Sequence, residues 1–169
     1  MALHVVIDGY NLLGVSTGRG LGVDVERERE RLIERLRSYR RLKGARVTVV
    51  FDGTRSGRLE RSRETRGGVE IIYSRGGEQA DHILKEMAGS KGAGLTIVTS
   101  DRDVADYARA RGAVVVSSGE FSSILEMCEY AETKGVEEED EGPPRRIKKG
   151  PSRRLPREER RRLRRLKKL

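Results

Sequence analysis

Three aspartates stand directly after apolar, β-rich runs. Asp8 follows Val5-Val6-Ile7, Asp52 follows Arg46–Phe51, and Asp101 follows Leu95–Thr99 and Ser100. A fourth, Asp81, opens a helical pattern in Gly77-Glu78-Gln79-Ala80-Asp81-His82. Ligands of open parallel sheets bind beyond the carboxyl ends of the strands, so acids from separate strands can meet on one rim. Clustered carboxylates repel one another unless a cation neutralises them. An oxygen-only donor set suits Mg²⁺ or Mn²⁺. One or two such ions can activate water and stabilise the leaving oxygen in phosphodiester cleavage. Each acid also has a plainer reading. Asp101 can simply cap a helix, and Asp8-Gly9 and Asp52-Gly53 are turn signals. Their joint occurrence after buried strands favours a site.

The elements that must position these acids are legible. Leu3–Ile7, Arg46–Phe51, Leu95–Thr99 and Ala113–Val116 are short and nearly continuous apolar runs, with Val69–Tyr73 a weaker fifth. Such runs suit parallel strands buried on both faces. Helical spacing falls between them, over Asp24–Leu42, Gln79–Ala88, Asp101–Arg111 and Glu120–Glu132. Asp24 is placed to cap the first of these helices, and its alternating Glu and Arg residues read as a solvated face. Strands alternating with helices predict a doubly wound α/β fold.

Charge divides the chain. Of 169 residues, 36 are Lys or Arg and 27 Asp or Glu, a net charge of +9. Residues 1–133 hold 21 basic and 20 acidic side chains, whereas 134–169 hold 15 and 7. We therefore expect a near-neutral folded body over 1–133. An acidic hinge at Glu137–Glu141 and a basic arm then fill 134–169. The arm is Pro-rich and poor in apolar residues, which predicts disorder in isolation. Arg157–Leu169 is suited to become a helix on a polyanion, with Leu163, Leu166 and Leu169 as a thin stripe. The single cysteine, Cys128, excludes an intrachain disulfide and a Cys-based zinc cluster. No run of ~18 apolar residues and no signal-peptide pattern is present, so a cytoplasmic protein without membrane attachment is expected.

Arg55, Arg58, Arg61, Arg63 and Arg66 crowd the stretch after Asp52-Gly53, which reads as a loop beside the acidic rim. Guanidinium groups can clamp phosphates and stack on unpaired bases. Arg102 joins this set of candidate nucleic-acid contacts, with structural ion pairing as its alternative. Tyr10 and Tyr73 can stack on bases or pack internally. Aromatic residues make up only 4% of the chain, so backbone contacts with strong salt dependence should dominate. Gly18–Gly22 lacks the pattern of a nucleotide-binding loop.

Val6-Ile7-Asp8-Gly9-Tyr10-Asn11-Leu12-Leu13 resembles the opening motif of the YacP-like NYN-domain ribonucleases of the PIN-like superfamily. Val50–Gly53, Gly77–Asp81, Val98–Asp103 and Ser117–Phe121 follow in the family's order. The resemblance implies a PIN-like three-layer α/β/α fold with a central, mainly parallel sheet. It also implies a metal-dependent endoribonuclease acting on single-stranded RNA and leaving 5′-phosphate and 3′-hydroxyl ends. Carried over by position, Asp8, Asp81 and Asp101 are the metal-site carboxylates. Asn11 orients water or the substrate phosphate, and Asp52 and Asp103 are outer ligands. Messenger RNA on or near the ribosome is one candidate substrate. Two alternatives stand beside this reading. One is a non-catalytic RNA- or ribosome-binding module with the same fold. The other is a Toprim-like nuclease using Asp101 and Asp103, although that fold expects Glu where Asp8 stands.

Overall fold

The computed structural model describes residues 3–17, 24–53, 58–134 and 156–169. Chain order is β1 (His4–Asp8), α1 (Gly9–Thr17), α2 (Val25–Lys43), β2 (Arg46–Phe51), β3 (Ser62–Arg66) and β4 (Val69–Tyr73). Then follow α3 (Ala80–Lys91), β5 (Leu95–Val98), α4 (Arg102–Ala110), β6 (Val114–Val116), α5 (Ser118–Lys134) and α6 (Arg157–Leu166). Among the described residues the strands form one sheet, ordered β3-β4-β2-β1-β5-β6. All neighbours are parallel except the β3–β4 hairpin.

Alternation along each strand sends side chains to two cores. Val5, Ile7, Val47, Val49, Phe51, Ile71 and Tyr73 face α1, α2 and α5. Val6, Val50, Ile72, Ile97 and Val115 face α3 and α4. The result is the expected three-layer α/β/α arrangement with a mainly parallel central sheet. Helix α2 begins at Asp24, which accepts the Arg27 N–H at 3.1 Å, and ends at Gly44 with φ of 61°. That left-handed conformation is cheap for glycine, which lets the chain turn directly into β2. Leu32, Ile33, Leu36 and Tyr39 form the helix's buried stripe.

Three elements depart from the expectations. The segment Gly9–Thr17 is a helix directly after β1. Ser62–Arg66, expected within a loop, is a strand paired antiparallel to β4. Its polar sequence suits an edge strand, and Gly67 and Gly68 at φ of 54° and 81° close the hairpin. Arg157–Leu166 is helical against the protein's own sheet edge rather than awaiting a polyanion. Its inward residues are Arg162, Arg165, Leu166 and Leu169, and Leu163 stays exposed. The inward side thus follows helical i, i+3, i+4, i+7 spacing instead of a strict step of three. The acidic run Glu137–Glu141, the rest of the arm to residue 155, Gly18–Gly22 and Arg55 lie outside the described residues.

Candidate active site

Asp8 ends β1, which pairs with β2 on one side and β5 on the other. Its carboxylate therefore sits at the carboxyl end of the sheet's middle. The Asn11 N–H reaches Asp8 Oδ1 at 3.4 Å, and the Thr99 hydroxyl reaches Oδ2 at 3.5 Å. Burial above all, with the charges of Asp101 and Asp81 adding to it, pushes the Asp8 carboxyl up to about 6 against those two hydrogen bonds. Three sequence-predicted acids thus act on one another electrostatically. Asp81 lies in the first turn of α3, with Oδ1 accepting the His82 N–H at 3.1 Å. Asp101 caps α4, and its Oδ1 accepts the N–H groups of Asp103 (2.9 Å) and Val104 (3.1 Å). The cap uses one oxygen of the carboxylate.

Asn11 stands one turn into α1. Its Oδ1 accepts the Ser100 N–H at 2.9 Å and the Ser118 hydroxyl. With the oxygen assigned by two donors, Nδ2 must be the outward donor, and it has no hydrogen-bond partner among the described residues. Asp52 follows β2 and is half-buried. Behind it, Gly53 crosses so close to Ser74 that an added Cβ would lie 1.6 Å from the Ser74 carbonyl oxygen. The Gly53 N–H donates to Ser74 Oγ at 2.8 Å, so this Asp-Gly pair is a packed junction. Asp103 is 80% exposed at its side chain and paired with Lys85.

The predicted RNA-binding arginines separate into two groups. Arg61 donates to Glu78 at 2.5 Å and to Glu86 at 3.0 Å. Arg63 pairs with Glu70 at 3.0 Å, and Arg66 with Glu30 at 2.7 Å and Glu64 at 3.0 Å. These three staple β3 to its neighbours. Arg58 lies over the Tyr73 ring at 4.3 Å and remains exposed, and Arg102 is exposed without an ion-pair partner among the described residues. Tyr73 is 2% exposed, so it packs rather than stacks on substrate. Tyr10 packs edge-on against Phe51 at 5.1 Å.

Two cations near the rim escaped the sequence reading. Arg29 belongs to the helix face taken as solvated, yet its side chain is only 16% exposed. It lies 5.4 Å from the Tyr73 ring and 6.0 Å from Phe51, the last residues of β4 and β2. Its spacing to Leu32, Ile33 and Leu36 was the available signal. Lys85 stands four residues after Asp81, hence on the same side of α3. Its ammonium pKa is raised by the hydrogen bond to Asp103, with the Asp81 and Asp101 charges adding to the effect.

The donor chemistry fits a hard divalent cation, because the acids offer oxygen alone and Asp8 carries a like-charge penalty that a cation would relieve. Among the described residues, no three His, Cys, Asp or Glu side chains converge closely enough to enclose a metal ion. The rim is therefore open, with its acids contributed by three separate elements.

This α/β/α fold with a mainly parallel central sheet is the PIN-like nuclease type. The chain belongs to the YacP-like NYN domain family, whose model matches residues 5–168. The uncharacterized protein YacP of Bacillus subtilis is 33% identical over 86 residues, half of this chain. The match likewise spans about half the length of that curated relative. Two crystal structures of Rae1 (YacP) from Bacillus subtilis, one of them a single-substitution mutant, are similar at 26% identity. The mutant superposes with a TM-score of 0.66 over 79% of this chain and 81% of its own. The other gives 0.63 over 80% of each. No helix among the described residues is long and apolar enough to cross a membrane.

Proposed function

We propose that this protein is a metal-dependent endoribonuclease that hydrolyses phosphodiester bonds of single-stranded RNA in the cytoplasm. Messenger RNA on or near the ribosome is its proposed substrate pool. The observation that carries this reading is the buried Asp8 carboxyl, pushed up to about 6 beside Asp101 and Asp81. An enzyme keeps such a penalty where the acids are needed together.

Asp8, Asp81 and Asp101 would hold Mg²⁺ or Mn²⁺, with Asp52 and Asp103 further out. When bound, the ion supplies Lewis-acid polarisation of the phosphate and of the attacking water. The protein's own part is positioning. Asn11 Nδ2 donates to a phosphate oxygen while its Oδ1 stays held by Ser100 and Ser118. Arg58 and Arg102 contact the flanking backbone, which gives weak sequence readout and strong salt dependence. Water adds to phosphorus and the 3′ oxygen leaves with a proton, producing 5′-phosphate and 3′-hydroxyl ends.

The test uses labelled single-stranded RNA with Mg²⁺, Mn²⁺ or EDTA, comparing wild type with Asp8→Asn and Asp101→Asn. Cutting that needs metal and disappears in both variants supports the enzyme. Binding by wild type without cutting under either ion establishes the non-catalytic module instead.

A further inference from the structure

Helix α6 reaches the candidate site through two sets of hydrogen bonds joined by the Ser117–Ser118 peptide. Its own docking is firm. Leu169 is 2% exposed and Leu166 packs on the same core. Arg165 donates to Thr96 Oγ1 at 3.1 Å and to the Ala93 carbonyl at 3.0 Å, and Arg161 shares that carbonyl at 3.0 Å. One turn away, Arg162 Nη2 donates to Glu120 Oε1 at 2.6 Å. The other oxygen, Glu120 Oε2, accepts both the N–H and the hydroxyl of Ser117 at 3.0 Å. Ser117 Oγ in turn accepts the Glu120 N–H at 3.2 Å. Ser117 and Glu120 are therefore a reciprocal capping box at the start of α5.

The next residue connects this cap to the rim. Ser118 N–H donates to Ser100 Oγ at 3.1 Å, and its hydroxyl donates to Asn11 Oδ1. The Ser100 N–H meets the same Asn11 oxygen, and the Asn11 N–H meets Asp8. We infer that Arg162 is a positioning residue: by holding Glu120 it fixes the α5 cap, and through Ser118 it aims the Asn11 carboxamide. The inference rests on the nuclease reading for its consequence in catalysis, but the coupling itself does not. It gives the last helix a role distinct from electrostatic attachment. The outward arginines of α6, including Arg157, Arg160 and Arg164, are free to contact an anion, whereas Arg162 faces the protein.

Full-length Arg162→Ala, Arg162→Lys and Arg164→Ala are compared by residue-resolved amide hydrogen exchange and by steady-state RNA cleavage. Arg162→Ala is expected to speed exchange at Ser117–Phe121 and Ser100. It should lower kcat about two- to fivefold, the scale of a partly exposed ion pair, with KM unchanged. Arg162→Lys restores most of both. Arg164→Ala raises KM and leaves exchange in that segment as in wild type. Unaltered exchange at Ser117–Phe121 in Arg162→Ala overturns the coupling. So does a rise in KM at constant kcat, matching Arg164→Ala. If wild type does not cut RNA, the nuclease reading fails while the exchange data still decide whether α6 holds the α5 cap.

Discussion

The Asn11 carboxamide oxygen accepts the Ser100 N–H at 2.9 Å, tying the first helix to the turn between β5 and α4. The bond joins residues 89 positions apart and decides which end of the carboxamide faces outward. Asn11→Asp keeps that acceptor and discards the Nδ2 donors. We expect RNA cleavage to fall about 10²-fold, the usual cost of losing one donor to a developing negative charge. The added carboxylate joins the Asp8 rim, so the melting temperature should fall at pH 8 and recover toward wild type near pH 4. Cleavage rates and thermal melts of the purified variant check this, and activity within threefold of wild type rejects the donor role.

Asp8 makes stability depend on pH in the direction opposite to most carboxylates. Its pKa rises from 3.8 to about 6 on folding, so the folded state holds the proton more tightly. Stability should therefore decline as pH rises from about 4 to 6, by a penalty on the order of 2–3 kcal/mol that persists above 6. Asp8→Asn lacks the charge. It should melt higher than wild type at pH 8 and level with it near pH 4, while losing cleavage. Mg²⁺ should raise the wild-type melting temperature at pH 8 and leave that of Asp8→Asn unmoved.

Asp101 and Asp103 are two residues apart but differ in what surrounds them. Asp103 is largely solvent-exposed and answered by Lys85, whereas Asp101 contributes to the charge at Asp8. Asp103→Asn should lower cleavage by less than about tenfold, and Asp101→Asn by about 10²-fold or more, as for a removed charge-stabilising group. Asparagine caps helices as well as aspartate, so neither variant should lose α4. Metal titrations of both variants, followed by cleavage and circular dichroism, separate the two roles.

Arg61 and Arg102 came from one functional expectation and should behave differently. Arg61 is committed to Glu78 and Glu86, so Arg61→Ala should cost about 1 kcal/mol of stability and spare RNA affinity. Arg102 is exposed at the start of α4. Arg102→Ala should weaken RNA binding uniformly and lower the salt slope by about one, as expected for a phosphate contact. Binding isotherms at several salt concentrations, beside denaturant melts, check both.

Much of the architecture was legible in local pattern. The runs at Arg46–Phe51 and Val69–Tyr73 match their strands residue for residue; the first is parallel to both neighbours and nearly all apolar, and the second is apolar but for Glu70. Helix α2 announced itself through Asp24 and its apolar stripe. The polar strand Ser62–Arg66 did not, since an edge strand needs no apolar face and its partner lies across the Gly67-Gly68 turn. Helix α1 was hidden in the family's opening motif, where Asp8-Gly9 reads as a turn signal.

By itself, the sequence determined that acids follow buried strands and that the fold alternates strand and helix. It also determined that most of the positive surplus lies after residue 134, because these properties are set by neighbours along the chain. Tertiary structure decided which acid is desolvated, since burial makes the Asp8 charge costly and Asp101 and Asp81, arriving from other elements, add to that cost. It decided that Arg61, Arg63 and Arg66 are staples, because their carboxylate partners include residues brought in from separate elements. And it decided that Arg162 faces Glu120 and Asn11 faces Ser118, contacts across 42 and 107 residues. Such pairings depend on how parallel crossovers stack helices, which no local spacing encodes.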